Sequence, residues 1–235
     1  MVRKIITLLT LAFFVLSSCT VTQNFRAQSD ISGSSRSGIT VDQFFLDVLS
    51  DFSDITPSGD YSLMDEAMLN FTDRINASSA SSSVMLYTDG NSQKYIISFD
   101  YSSLEKVVSD LNGGKSNTLL KIDEKSMSLN LNIDNYSELE SVIPFLSDPN
   151  FEVYGPRYSY GMSKDEYMDM ISFLLGEEGP KALEESFVSI EINTPGDIKN
   201  VEGAMKTGTR KAVYSFPVVD FLTLNKPLTF TVEWK

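Results

Sequence analysis

The sequence predicts an α+β fold in which helices pack on one face of a meandering, mostly antiparallel sheet. Apolar and polar residues alternate strictly over 126–133 and over 228–234. This pattern indicates strands with one buried and one solvated face, as is typical of antiparallel sheets. Elsewhere, polar capping motifs precede apolar residues at helical spacing. Because strands and helices are mixed along a chain of 235 residues, we expect one α+β domain.

Turn signals separate the predicted strands. Asp89-Gly90 lies between two apolar runs and is a strong hairpin signal, because this dipeptide tolerates the positive φ angles of tight turns. Turns are also predicted at 31–38, 123–125 and 203–208. The predicted strands span 20–28, 84–88, 94–101, 126–133, 188–194, 211–216 and 228–234.

Helix starts are marked by capping boxes, in which a Ser or Thr side chain and a Glu or Gln three residues later satisfy free backbone N–H groups. An apolar stripe at helical spacing follows each motif. A further amphipathic helix is predicted over 62–75, and a helical insertion on the sheet around 150–186. The four motifs are Thr40-x-x-Gln43, Ser102-x-x-Glu105, Ser137-x-x-Glu140 and Ser163-x-x-Glu166.

The N-terminus carries the signature of a bacterial lipoprotein signal peptide over 1–18. Arg3 and Lys4 precede an apolar run of 12 residues, which is well short of the ~20 residues that span a bilayer. The run ends in the lipobox pattern Leu16-Ser17-Ser18-Cys19. An ordinary cleavage site requires a small residue at −3, where this chain has leucine. We therefore expect a lipid on Cys19 and a mature domain over 19–235, anchored to a membrane of the cell envelope at its periplasmic or surface face.

The mature chain is strongly acidic. Loss of Arg3 and Lys4 leaves 17 basic residues against 32 acidic ones, so the net charge changes from −13 to −15. A surface of this charge is repelled by phosphate backbones and by anionic lipid headgroups. We therefore expect no nucleic-acid partner, and membrane attachment through the covalent lipid alone.

Histidine is absent, and Cys19 is the only cysteine. These two facts exclude Ser-His-Asp and Cys-His nucleophiles and zinc sites with imidazole ligands. If Cys19 carries a lipid, the chain also forms no disulfide. We expect no metal site and no cofactor.

One set of motifs predicts a competing, enzymatic function. Ser103-x-x-Lys106, Ser128-x-Asn130 and Lys206-Thr207-Gly208 match, in order, the signature of penicillin-binding proteins and serine β-lactamases. In such a site Ser103 is the nucleophile and Lys106 activates it. The short spacing between the motifs argues against this function, as does the position of Ser103 beside a predicted helix start. A serine acyl-transfer enzyme of the cell wall is therefore the alternative hypothesis.

Aromatic residues are concentrated in the predicted insertion, where Tyr154, Tyr158 and Tyr160 lie near Gly155 and Gly161. A tyrosine combines an apolar ring with a polar hydroxyl, which suits a sugar or a lipid headgroup at the mouth of an apolar cleft. Aromatic anchoring of a loop to the core explains the same pattern. We predict an acyl-chain cleft between helices and sheet, with these three tyrosines at its mouth.

The C-terminal strands follow a distinctive order. The segment 188–198 predicts a strand that ends in a Pro195-Gly196 break, a second strand returns over 211–216, and the aromatic strand 228–234 closes the sheet. This arrangement, following a lipobox and an early strand, resembles the LppM-type domain of bacterial envelope lipoproteins. The resemblance implies an α+β, non-catalytic domain that binds envelope glycolipids, and it assigns no ligand residues.

Together these observations predict a non-enzymatic, lipid-anchored envelope protein that binds a lipid, a glycolipid or a protein partner. The hypothesis rests on the lipobox, the missing histidine and the lack of a convincing nucleophile in the sequence. A serine acyl-transfer enzyme is one alternative, and a purely structural envelope protein is another.

Overall fold

The structure is a computed structural model that describes residues 19–52, 62–90, 93–147 and 149–235. The predicted signal peptide over 1–18 lies outside the described residues. The strands are β1 (Thr20–Ala27), β2 (Gly33–Thr40), β3 (Ser81–Thr88), β4 (Lys94–Tyr101), β5 (Leu120–Asp123), β6 (Ser126–Leu131), β7 (Phe187–Asn193), β8 (Ile198–Glu202), β9 (Met205–Gly208), β10 (Lys211–Pro217) and β11 (Leu228–Trp234). The α-helices are α1 (Gln43–Phe52), α2 (Leu63–Asn76), α3 (Leu104–Leu111), α4 (Tyr136–Val142), α5 (Pro149–Glu152), α6 (Pro156–Ser159), α7 (Lys164–Leu175), α8 (Glu178–Glu184) and α9 (Val218–Thr223).

Within the described residues, the strands form two sheets. The larger sheet has seven strands in the order β3-β4-β2-β1-β7-β10-β9, and the smaller has four in the order β5-β6-β11-β8. Neighbouring strands are antiparallel except for β1 and β7, which are parallel. The α+β class and the mostly antiparallel pairing are therefore confirmed. The strands divide between two sheets instead of following a single meander.

The main core lies where the two sheets meet. Ile97 of β4 and Val232 of β11 are fully buried, and the ring centroids of Tyr214 in β10 and Phe230 in β11 are 5.3 Å apart. Val107 of α3 belongs to the same cluster. Inward-facing side chains of both sheets thus share one apolar core, which accounts for the strict alternation in the strands of the smaller sheet.

Two of the four predicted turns are confirmed. Asp89-Gly90 connects β3 to β4 with Gly90 at a φ of 79°, and the turn at 123–125 connects β5 to β6. The turn predicted over 31–38 is wrong, because most of this segment is β2, which pairs with β1 on one side and β4 on the other. The turn predicted over 203–208 is shorter than expected, since its second half is β9. Pairing with neighbouring strands therefore outweighs the local preference of these segments for turns.

Two helices begin with complete capping boxes. Ser163 and Glu166 form the predicted box at the start of α7, each side chain bonding the other residue's backbone N–H. Ser62 and Asp65 form an equivalent box at the start of α2. Both predicted helices therefore begin where their local sequence indicates.

The boxes predicted at α1, α3 and α4 do not form. Ser103 caps α3, one residue later than expected, because Glu105 accepts a hydrogen bond from the backbone of β5 instead. Asp42 accepts a bond from the N–H of the second residue of α1. Helix α4 follows Asn135 without a side-chain cap, and Glu140 is engaged in an ion pair. At α3 and α4, contacts with residues farther along the chain thus outcompete the local motif, whereas at α1 another local residue, Asp42, provides the cap.

Strand β1 brings the start of the predicted mature chain into the larger sheet. Thr20 pairs with Thr40 of β2 and with Phe187 of β7. The carbonyl of Cys19 accepts a hydrogen bond from the N–H of Phe187 at 3.2 Å. Cys19 is therefore held at one end of the sheet, next to helices that include α5, α7 and α8 of the predicted insertion around 150–186.

Candidate functional site

An apolar cavity of about 240 Å³ lies beside Cys19. Its walls come from the residue before β1 and from α1, α4, α5, α7, α8 and α9. Apart from Ser186 and three tyrosine hydroxyls, the side chains that line it are apolar. Such a lining favours an apolar guest, since an engineered cavity of about 150 Å³ lined by Leu, Ile and Phe stays dry and binds benzene.

One wall of the cavity is a face of α7. Tyr167, Ile171 and Leu175 follow one another at a spacing of four residues and all line the cavity. Side chains at this spacing lie on the same side of a helix. Tyr167 and Ile171 are almost completely buried. The apolar stripe that predicts α7 from sequence therefore forms the cavity wall.

Another part of the wall carries aromatic residues from α4 and α9. The ring centroids of Tyr136 and Phe221 lie 6.1 Å apart with the rings tilted at 53°. Burial, together with the negative charge of Glu140, raises the pKa of Tyr136 to about 12. Burial also raises the pKa of Tyr154 and of Tyr167, whose hydroxyl donates to the carbonyl of Tyr154 at 2.8 Å. The phenols are therefore neutral, and the wall carries no charge.

A partly buried ion pair connects two segments that line the cavity. The Arg157 Nε donates to Oε1 of Glu140 at 2.7 Å, and the guanidinium Nη2 bonds Oε2 of the same carboxylate. Glu152 lies 3.4 Å from the Arg157 Nε. These carboxylates raise the pKa of Arg157 above its ordinary value. The pair joins α4 to α6, and so fixes Tyr136 relative to the turn at Gly155, both of which line the cavity.

Cys19 forms part of the cavity wall at the point where β1 begins. Its sulfur accepts a hydrogen bond from the N–H of Asp42 at 3.4 Å. Burial raises the pKa of the Cys19 thiol to about 11, so the free thiol is uncharged and a poor nucleophile. The side chain is partly buried and makes no disulfide. This environment suits an uncharged sulfur.

The three tyrosines predicted at the mouth occupy different positions. Tyr154 lines the cavity. Tyr158 and Tyr160 are 59% and 56% exposed and are not among its lining residues. The structure therefore brings one of the three to the apolar surface, and the other two project from the adjoining helix α6 and its C-terminal end.

Ser103 and Lys106 lie in a different place, on a surface depression of about 540 Å³ lined mostly by polar side chains. Ser103 Oγ accepts the backbone N–H of Lys106 at 3.2 Å, as the cap of α3. The Lys106 ammonium forms an ion pair with Asp110. An ammonium paired with a carboxylate is a hydrogen-bond donor and not a base, so this arrangement lacks the activation that a serine nucleophile needs.

The other two motifs of the enzymatic hypothesis are elsewhere. Ser128 and Asn130 lie on β6 of the smaller sheet, and Lys206 lies on β9 of the larger one. Lys206 Nζ donates to the carbonyl of Ile198 at 2.7 Å. None of these residues lines the depression that contains Ser103.

No group of three or more acidic or cysteine side chains in the described part of the chain is arranged to hold a metal ion. In the same residues, no helix is long and apolar enough to cross a membrane.

The sequence did not identify most of the cavity. Phe45 and Val48 of α1 and Phe221 of α9 look like ordinary core residues of amphipathic helices, and no local pattern indicates that they face a common space. The sequence predicts only a lipidation site at Cys19. Its place in the cavity wall depends on the pairing of β1 with β7, strands that are more than 150 residues apart in the sequence.

Comparison with known proteins adds one structural likeness. No protein-family model matches the chain, and no curated protein matches it. A solved structure that is similar to this chain is the NMR structure of the folded domain of LppM from Mycobacterium tuberculosis. The two share 13% sequence identity over 93% of this chain and 90% of that chain, with a TM-score of 0.37.

Proposed function

We propose that this protein is a bacterial envelope lipoprotein, anchored through a lipid on Cys19, whose domain binds an acyl chain of a lipid or glycolipid without catalysing a reaction. The apolar cavity beside Cys19 is the observation that carries the proposal. An uncharged lining of aromatic and aliphatic side chains is the usual environment of an apolar ligand.

The size of the cavity sets the length of chain that it holds. A methylene group is close in size to a water molecule, whose share of liquid volume is about 30 Å³. A cavity of about 240 Å³ therefore accommodates part of one acyl chain. Transfer of each methylene from water contributes about 0.8 kcal/mol, so about eight methylenes contribute about 6 kcal/mol before the costs of association.

The anchor follows from the lipobox. In the modification, the Cys19 sulfur forms a bond to a glycerol carbon of a phospholipid, the phosphate headgroup leaves, and the thiol proton passes to solvent. We expect Cys19→Ser to abolish incorporation of a labelled fatty acid and to release the protein from membranes or leave an unprocessed precursor. Thr20→Ser is the matched control and keeps the label. Unchanged acylation of Cys19→Ser would disprove the anchor.

Lipid binding is tested on the chain that begins at residue 19 and carries Cys19→Ser. After incubation with phospholipid vesicles, native mass spectrometry should detect one bound lipid. Leu222→Trp replaces a branched aliphatic side chain of the cavity wall with a bulkier indole ring and should reduce the adduct at least fivefold, whereas Leu69→Trp on the exposed face of α2 should not. A clean apo mass in every sample would refute lipid binding and leave a protein-interaction or structural role.

The same measurement tests the predicted mouth residues. Tyr158→Ala or Tyr160→Ala weakens the adduct if these exposed rings contact the headgroup of a lipid whose chain occupies the cavity. If neither substitution alters the adduct, the contact between lipid and protein is confined to the cavity wall that includes Tyr154.

A further inference from the structure

The position of Cys19 limits where a lipid on its sulfur can go. Thr20 is already paired with strands on both sides, and the Cys19 carbonyl is bonded to the N–H of Phe187. No flexible tether therefore separates the modified residue from the folded domain. A chain attached to this sulfur begins in the wall of the cavity.

The chemistry of the wall fits a modified sulfur. A thioether carries no charge at any pH, and it retains the lone pairs that accept the hydrogen bond from Asp42. The site disfavours charge on the unmodified sulfur too, because burial penalises the thiolate and so raises the pKa of the thiol. Ser186, also in the wall, donates its hydroxyl to the carbonyl of Ala182 at 2.7 Å. The polar groups beside the sulfur, the Asp42 N–H and the Ser186 hydroxyl, are thus hydrogen-bonded, and most of the remaining cavity wall is apolar.

We propose that in the mature protein the cavity is occupied by one acyl chain of the lipid attached to Cys19 itself. This inference rests on the proposed function and names the source of the bound chain. Attachment removes most of the translational cost that a free lipid pays on binding, because the chain is held at a high effective concentration beside the cavity.

If one acyl chain of the Cys19 lipid occupies the cavity, fewer chains remain to hold the protein in the membrane. A single acyl chain in the membrane gives only marginal, reversible attachment, whereas two chains hold stably. With one chain in the protein, a cysteine that carries three acyl chains retains two for the membrane, and one that carries two retains a single chain. The cavity therefore converts a diacylated form from a permanently attached protein into one that can leave the bilayer.

Photo-crosslinking of the full-length, lipidated protein tests the proposal directly. Bacteria that express the chain are fed a fatty acid with a diazirine on its alkyl chain, and the purified lipoprotein is irradiated in detergent. We expect cross-links from the Cys19 lipid to peptides of α7 and α9, which contain Ile171 and Leu222. Cross-links to detergent alone, or to peptides outside the cavity, would overturn the inference.

Two variants serve as a matched pair. Leu222→Trp narrows the cavity and should reduce the cross-links to α7 at least fivefold, while Leu69→Trp, at an exposed position of α2, should leave them unchanged. Circular dichroism establishes that both variants are folded. An equal yield of cross-links in the two variants would contradict the proposal.

Uptake of a free fluorescent fatty acid separates this inference from the proposed function. The lipidated protein should take up at least tenfold less probe than the Cys19→Ser chain, because its own acyl chain blocks the cavity. Equal uptake by both proteins refutes the inference and leaves the proposed function standing. If neither takes up the probe, both are refuted.

Discussion

Replacing Arg157 with alanine tests whether its ion pair with Glu140 stabilises the wall of the cavity. The side chain of Glu140 is only 6% exposed and that of Arg157 is 48% exposed. Removing one partner of a fully buried pair costs about 3–5 kcal/mol, and an exposed pair is worth about 0.2–1 kcal/mol. Because solvent screens the exposed half of the guanidinium, we expect Arg157→Ala to lower the free energy of unfolding by about 2 kcal/mol.

Urea denaturation at pH 7 measures this loss, with Trp234, a buried residue of β11, as the fluorescent reporter. The chain that begins at residue 19 with Cys19→Ser avoids the lipid. Arg210→Ala is the control, because Arg210 pairs with Asp197 at 3.0 Å while both side chains are more than half exposed. We expect a loss below about 0.5 kcal/mol for this variant. If the two substitutions cost the same, the ion pair at Arg157 does not brace the cavity.

Three further predictions concern other parts of the molecule. Glu191→Gln should lower stability by up to about 1 kcal/mol at pH 7 and by less at pH 3. The ion pair with Lys211 holds the pKa of this carboxylate below its ordinary value, so its contribution is present while it is ionised and disappears as the pH falls; urea titrations that give the same loss at both pH values would contradict this. Gly203→Ala should cost more than about 2 kcal/mol by the same assay, because φ is +71° and a Cβ would lie 2.3 Å from a carbonyl oxygen of β11. Gly114→Ala, at φ +82° with no atom within 4 Å, isolates the backbone cost alone, about 1–2 kcal/mol, and an equal loss at both glycines would rule out the clash. Ser103→Ala should cost about 1 kcal/mol through loss of a helix cap, and the unmutated protein should not react with a fluorescent penicillin. Stoichiometric labelling that disappears in the Ser103 variant would establish the enzymatic alternative.

Elements whose signals are local follow directly from the sequence. The alternation over 228–234 predicts β11 with its observed bounds, and Asp89-Gly90 predicts the β3–β4 hairpin. The capping box at Ser163 marks the first turn of α7. In each case the interactions involved join residues a few positions apart, or depend on which side of one strand faces the core.

Elements that depend on distant partners do not follow from the sequence. The segment over 31–38 favours turns, yet most of it is a strand because β1 and β4 pair with it on both sides. Glu105 and Glu140 are placed in local capping motifs but bond to β5 and to Arg157. A local motif contributes about 1 kcal/mol, and a long-range hydrogen bond to a charged group contributes as much or more.

The candidate site likewise combines features that local sequence predicts with features that depend on distant partners. The lipobox at Leu16–Cys19 is a continuous motif, so the sequence alone predicts a lipid on Cys19, and the absence of histidine alone excludes several classes of catalysis. The cavity is decided only by the tertiary structure, because its walls come from Cys19 and from helices that are far apart in the sequence, from α1 to α9. The parallel pairing of β1 with β7 brings these walls together, and that pairing depends on the closure of a loop of more than a hundred residues between Cys19 and Phe187. No pattern within either segment encodes its partner, since the pairing is selected by how well whole apolar faces match in the folded protein.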